Sequence, residues 1–117
     1  MGEPGPSKVV TLNLANNEMI GDEGCEALCL GLRSNTVLKQ LHLPFCGVGA
    51  AGARAIAQAI CRPTGKVTHL MLTGNRLGAE GLRNLSDGLR RSKALVSLDV
   101  SDNRISGEVE HLAHFAH

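Results

Sequence analysis

Histidines and cysteines are the residues of this chain that could support metal binding or catalysis. His111, His114 and His117 recur at every third position near the end of the sequence. A structural zinc site needs a closed shell of three or four ligands in a supported geometry. The sequence gives these histidines no cysteine ligands, so we expect a solvent-facing helix and no metal site here.

The four cysteines do not have the paired CxxC spacing of a zinc or redox motif. Cys25 and Cys29 are one helical turn apart, while Cys46 and Cys61 stand alone. Free cysteines are commonly small buried hydrophobic residues. The sequence also lacks the charged-then-apolar order of a secretion signal, which favours reduced thiols in a cytoplasmic protein. We therefore expect buried thiols and no disulfide.

Other motifs that would indicate an enzyme or a nucleic-acid-binding protein are missing. Gly47, Gly49 and Gly52 are not followed by the Lys-Ser/Thr pair of a phosphate loop, and no GxSxG motif occurs. The formal net charge of +1 favours neither nucleic acid nor an anionic membrane as a partner. A basic cluster is interpreted as a solvated helix face, because Glu80 and Asp87 share that helix. It comprises Arg83, Arg90, Arg91 and Lys93.

An internal repeat determines how every other residue is positioned. Four segments follow the pattern LxxLxLxxN, and their starts at residues 9, 38, 67 and 95 are 29, 29 and 28 residues apart. Side chains alternate along a strand, so the two residues of LxL point to the same, interior side. The pattern predicts one short strand in each unit. The segments are 9–17, 38–46, 67–75 and 95–103.

Each strand is followed by a second repeated pattern. Gly24, Gly52 and Gly81 are followed four and eight residues later by apolar residues, a spacing that places these side chains on one helical face. The glycines are expected where the helix presses on the strand layer. Gly24 comes one residue late, which implies an inserted residue near Met19 and Ile20. Every unit is therefore a strand, a loop and a helix.

The last position of the strand motif holds an asparagine in three units. Asn17, Asn75 and Asn103 occupy it, and Cys46 replaces it once. An asparagine amide both donates and accepts hydrogen bonds, so stacked asparagines can satisfy backbone groups that bend away from the sheet. We expect a structural ladder at this position, with Cys46 as a weaker donor of similar volume.

The combined pattern resembles the ribonuclease-inhibitor class of leucine-rich repeats. The likeness covers residues 9 to about 105, and the stretches 17–24 and 74–81 are particularly close to that class. It implies an α/β solenoid in which a parallel sheet lines the concave side and helices cover the convex side. Members of the class include inhibitors, sensor regions of NOD-like receptors, Ran GTPase activators and scaffold proteins. Binding of a protein partner through the concave face is therefore expected.

Outward-facing strand positions and the loops behind them would form that concave face. Phe45 and Met71 are its large apolar residues, and apolar groups rimmed by polar ones are typical contact anchors. Alternatively, Phe45 folds back into the loop layer and Met71 is an isolated surface residue. His42 and His69 fall on neighbouring strands at different positions. The expected partner-binding residues are Lys39, His42, Phe45, His69, Met71, Asp99 and Asp102.

The two ends of the solenoid lack the usual caps. Residues 1–8 are expected to be a flexible segment, and residues 9–117 a leucine-rich-repeat domain. In the fourth unit Val109 replaces the glycine and Ala113 replaces a leucine, so the repeat degenerates. Open solenoid ends expose sheet edges and apolar layers. We expect a fragment, a truncated product or a subunit covered by neighbours, with end-to-end self-association as a further option.

Three functions are compatible with these features. The first is a protein-interaction module without enzymatic activity or cofactor, acting in the cytoplasm, the nucleus, or on cytoskeletal or ciliary structures. The second is a regulator such as a GTPase activator, a role that would use loop residues at the strand ends. The third is a structural subunit capped by neighbours. The residues for the second role would be Asn17, Asn75, Arg76, Asn103 and Arg104.

Overall fold

A computed structural model describes residues 9–62 and 65–103 of the chain. Strands and helices alternate along it. The strands are β1 (Thr11–Asn13), β2 (Gln40–His42), β3 (His69–Met71) and β4 (Ser97–Asp99), and the helices are α1 (Gly21–Leu32), α2 (Ala50–Ile60) and α3 (Gly78–Leu89). Both predicted elements of each described unit are therefore present. The predicted segment 1–8 and the fourth helix, with His111, His114 and His117, lie outside the described residues.

The four strands form one parallel sheet in the order β1-β2-β3-β4. Leu12, Leu41, Leu70 and Leu98 are aligned with one another across the sheet. The repeat spacing of 28–29 residues therefore determines which residues are paired between neighbouring strands. The side-by-side arrangement of the four LxxLxL segments is confirmed.

A layer of leucines between sheet and helices forms the core. In the two central repeats the LxL leucines are fully buried, and they pack with apolar residues from α2 and α3. Leu12 and Leu14 of the first repeat are only partly buried, since no earlier repeat is stacked on them within the described residues. Burial is therefore shared sideways between units, as nearest-neighbour stacking requires.

The expected inserted residue near Met19 is present. Met19 is 98% exposed, while Ile20 packs against the core from the position that Val48 and Leu77 occupy in the next repeats. The extra residue therefore bulges into solvent, and α1 still begins in register.

The prediction for the helix glycines needs correction. A Cβ at Gly81 would approach the Cβ of Leu77 to 2.9 Å and the Cα of Ala50 to 3.4 Å. A Cβ at Gly52 would meet Val48, Asp22 and Cys25. These neighbours belong to the loop before the helix and to the preceding helix, not to the strand layer. The glycines therefore permit close packing of successive helices.

Candidate protein-binding face

Two rows of outward side chains cross the sheet on the side away from the helices. We call these rows, together with the two loop residues that precede each ladder position (15–16, 44–45, 73–74 and 101–102), the strand face. The first row is Thr11, Gln40, His69 and Ser97, and the second is Asn13, His42, Met71 and Asp99. Four of the seven predicted binding residues therefore lie on adjacent strands. Most of the row side chains are half-buried.

The two histidines of the strand face are in different rows, as expected. His42 pairs with Met71 across the sheet, whereas His69 pairs with Gln40. His42 Nε2 lies 3.0 Å from Gln40 Oε1, and His69 Nδ1 lies 2.8 Å from Thr68 Oγ1. Local polar groups thus orient both rings. Within the described residues, no group of three histidines, cysteines or carboxylates could hold a metal ion.

Phe45 is a loop residue of the strand face, and its ring lies on the following repeat. Its side chain is 43% exposed, and a Cβ on Gly74 would lie 2.2 Å from Phe45 Cε1. Only a glycine at position 74 therefore allows the ring to lie against this backbone. The ring contacts the loop of the next repeat, as one alternative anticipated, yet much of it remains available to solvent.

The residue before the ladder position has a left-handed backbone in every unit. The φ angles are 63° at Asn16, 55° at Phe45, 71° at Gly74 and 56° at Asp102. Its amide donates to a carbonyl of the next repeat, as from Phe45 to Thr73 at 2.9 Å. Asparagine, aspartate and glycine tolerate this conformation, whereas phenylalanine rarely adopts it. Phe45 is thus held in an unfavourable backbone conformation beneath an exposed ring.

The acidic end of the strand face is Asp99 with Asp102. Asp99 Oδ1 accepts hydrogen bonds from the Ser101 hydroxyl at 2.6 Å and from the Ser101 amide at 3.0 Å. These bonds, the hydroxyl first, hold the pKa of the Asp99 carboxyl below its ordinary value. Asp102 and Lys39 are exposed. The face therefore presents a fixed negative charge on β4, and the exposed Lys39 lies just before β2.

The predicted ladder is formed, and Asn75 is its centre. Asn75 Oδ1 accepts hydrogen bonds from the amides of Cys46 and Val48 at 2.9 and 3.0 Å. Its Nδ2 donates to carbonyls of its own and the preceding repeat, Leu72 at 2.9 Å and Leu43 at 2.7 Å. These bonds hold the strand ends of neighbouring units together.

The other three ladder residues form different parts of this hydrogen-bond pattern. Asn103 Nδ2 donates to Leu72 at 2.8 Å, and Cys46 Sγ donates to Leu14 at 3.0 Å. Cys46 thus keeps the donor half of the ladder. Asn17 is exposed, and among the described residues it donates only to carbonyls of its own turn, at Leu14 and Ala15.

All four cysteines are buried free thiols. Cys25 and Cys29 are one turn apart in α1, and a hydrogen bond between the two thiols, together with burial, raises the pKa of Cys25. Burial also raises the pKa of Cys61 to about 11. A nucleophilic cysteine needs a lowered pKa and access to solvent. Cys25 and Cys61 have neither feature and serve as core residues.

Sequence reasoning missed Asp22 and Gly74. Asp22 lies in the first turn of α1, and its Oδ1 accepts hydrogen bonds from the amides of Gly49 and Gly52 at 2.7 and 2.8 Å. It therefore caps α2 from the neighbouring repeat.

Gly74 could have been identified from the sequence, because two of the residues at equivalent positions in the other repeats tolerate a left-handed backbone. Arg104 of the regulator hypothesis lies outside the described residues.

No helix in the described part of the chain is long and apolar enough to cross a membrane.

The family model described as Leucine Rich repeat matches residues 6–29, 34–57, 66–86 and 92–108. Human NACHT, LRR and PYD domains-containing protein 14 is 34% identical over 86 residues, which are 73% of this chain and 8% of that protein. Pig ribonuclease inhibitor is 35% identical over 98 residues, or 84% of this chain and 21% of the inhibitor.

Solved structures show the same architecture. The leiomodin-1 structure titled Actin-Binding Site 2 superposes with a TM-score of 0.79 at 25% identity, covering 92% of this chain and 63% of that one. The tropomodulin C-terminal domain of Caenorhabditis elegans gives 0.77 at 18% identity, covering 93% and 66%. The chain spans about a fifth or less of the two curated relatives.

Repeat, register, ladder and comparisons agree: this chain belongs to the leucine-rich-repeat family, with distant homology to ribonuclease inhibitor and to the repeat regions of NACHT, LRR and PYD proteins.

Proposed function

We propose that this chain binds a protein partner through the strand face, without catalysing a reaction. Leucine-rich repeats typically bind proteins, and the strand face carries Phe45, a large aromatic side chain that is 43% exposed. Exposed aromatic groups rimmed by polar residues are the usual anchors of protein interfaces. This exposed ring is the single observation that carries the proposal.

The surroundings of Phe45 support its role as an anchor. The ring lies against Gly74, three residues after Met71, so the two large apolar side chains sit on the same part of the strand face. Its backbone holds a left-handed conformation that phenylalanine rarely adopts. A buried-core role would not explain this arrangement, since much of the ring is left in solvent.

The polar predicted residues are assigned to the rim of the interface. Lys39 and Asp102 are exposed, while His42, His69 and Asp99 are half-buried and oriented by local hydrogen bonds. Oriented polar groups give register and specificity more than affinity. Reduced, buried thiols are consistent with a cytoplasmic location.

The test is capture of native partners by the tagged 117-residue chain, with purified actin included because the leiomodin-1 structure is named for actin binding. The variant Phe45→Ala with Met71→Glu should lose capture while its circular dichroism spectrum is unchanged. The matched control is Leu30→Ala with Met19→Glu, which changes apolar residues that are 65% and 98% exposed elsewhere. Equal capture by both variants would exclude the strand face.

A further inference from the structure

The charges of this nearly neutral chain are separated between its two edges. The segments that join each helix to the next strand, 33–39, 61–68 and 90–96, contain basic residues and no acidic one. The basic residues are Arg33, Lys39, Arg62, Lys66, Arg90, Arg91 and Lys93. We call the described residues of these segments the basic edge. Among the described residues, the opposite loops and first helical turns carry Glu18, Asp22, Glu23, Glu80 and Asp102, with Arg76 as their cation.

Three arginines of the basic edge occupy the same position in successive repeats. Successive members of the set Arg33, Arg62 and Arg91 are 29 residues apart, and each lies one or two residues after the end of a helix. Arg33 and Arg91 are exposed. The partial negative charge at each helix C-terminus, about half an elementary charge, offsets only part of this positive charge. The stacking of units thus aligns these three arginine positions along one edge.

A cavity opens at this edge between the first and second repeats. It has a volume of about 280 Å³ and an aliphatic floor that includes Leu38, Ile60 and Val67. Arg33, Arg62 and Lys66 also line it. The cavity therefore combines a space for an aliphatic side chain with three cationic groups.

Arg62 lines this cavity and is half-buried. Its Nη1 reaches the carbonyl of Arg33 at 3.5 Å, whereas its Nε is buried and has no hydrogen-bond partner among the described residues. Because this Nε is buried, an acceptor in the cavity would bind the Nη donors. A carboxylate is the acceptor that matches the forked donors of a guanidinium group.

We infer that the basic edge binds an acidic, extended peptide segment of a partner protein, with one aliphatic side chain of that segment in the cavity and neighbouring carboxylates on Arg62 and its row. The aliphatic lining favours a peptide over a nucleic acid, because base stacking needs aromatic side chains and none is among the described residues that line the cavity. Apart from Lys39, which the strand-face proposal also uses at its rim, this surface contains no residue assigned to the strand-face interface.

A fluorescein-labelled peptide in which glutamates flank one leucine tests the inference by fluorescence anisotropy with the 117-residue chain. The variant Arg33→Gln, Arg62→Gln, Lys66→Gln should weaken binding by about tenfold or more. The control variant Arg54→Gln, Arg76→Gln, Arg83→Gln makes the same charge change at exposed positions elsewhere and should bind like the unchanged chain. Circular dichroism monitors folding. Lys66→Glu, a single exposed change, provides a second readout if the triple variant is unfolded.

Two further probes complete the test. Replacing the leucine of the peptide by serine should weaken binding, and a single-stranded DNA oligonucleotide should bind less tightly than the peptide. Equal affinity in the two triple variants, no effect of the leucine, or tighter binding of the oligonucleotide would each overturn the inference. Phe45→Ala with Met71→Glu should leave peptide binding unchanged, so failure here is distinguishable from failure of the strand-face proposal.

Discussion

At the residue scale, the ladder position shows why one side chain can control two repeats. Asn75 is 3% exposed, and its amide serves backbone groups in two successive units. Cys46 offers only a thiol donor at the equivalent place, and Asn17 serves only its own turn. The sequence pattern predicts the position correctly, but the number of bonds at each site depends on which repeats are stacked against it.

Asn75→Ala is expected to destabilise the chain by about 2–4 kcal/mol, since each buried polar group left without a partner costs about 1–3 kcal/mol. Asn17→Ala is the matched control, because its side chain is exposed and water can replace its two hydrogen bonds. We expect a loss below about 1 kcal/mol for it. Urea denaturation of both variants measures the difference, and equal losses would contradict the ladder assignment.

Gly74 and Phe45 form a coupled pair, because a Cβ at position 74 would overlap the ring. Gly74→Ala should destabilise by about 2–3 kcal/mol, from the overlap together with the positive φ angle. When Phe45 is already replaced by alanine, Gly74→Ala should cost only the strain of the positive φ angle, about 1 kcal/mol. A double-mutant cycle followed by chemical denaturation gives the coupling energy. A coupling near zero would mean that the ring does not lie on Gly74.

The Cys61 thiol makes stability depend on alkaline pH. Its pKa is raised from 9.0 to about 11 by burial, so the folded state holds this proton more tightly than the unfolded state does. The stabilisation is complete below about pH 9 and declines as the pH rises towards 11. Unfolding free energies measured at several pH values should fall across that window, and less steeply in Cys61→Ala. Identical pH profiles would show that Cys61 is not a buried thiol in the native state.

At the element scale, α2 depends on a cap that no local motif predicts. Its first residues are Ala50 and Ala51, and Gly49 before them supplies no side-chain hydrogen bond. Asp22 of α1 takes that role from one repeat away. The 29-residue spacing predicts that the helices are neighbours, yet it says nothing about which loop amides one carboxylate can reach. The helix positions were therefore predictable, whereas their caps were not.

Asp22→Ala should destabilise the chain by about 1–2 kcal/mol, the usual effect of losing a helix cap. Glu23→Ala is the control, because it removes a neighbouring acidic residue that is exposed in the same helical turn. It should change stability by less than about 0.5 kcal/mol. Thermal denaturation of the two variants distinguishes a specific cap from a general loss of negative charge, for which both losses would be equal.

At the scale of the whole molecule, repeat spacing determines the fold and leaves the binding surface only partly predictable. The LxxLxL segments predict parallel strands in register, and the sheet confirms them. They also predict which residues lie on the strand face. The position of the Phe45 ring depends on a left-handed backbone that phenylalanine rarely adopts, so the sequence did not predict it. The basic edge becomes visible only when arginines from separate repeats are aligned. Features built between units are therefore the ones that local sequence patterns miss.

Photo-crosslinking tests the central claim most directly, because it asks which surface the partner touches. A photoreactive residue would be placed at Thr11 or Asn13, both exposed on the strand face, or at Leu30 or Arg54, both exposed on the helices. We expect a protein adduct of one defined mass from the strand-face positions and none from the helix positions. Adducts that form only at Leu30 and Arg54 would contradict the account.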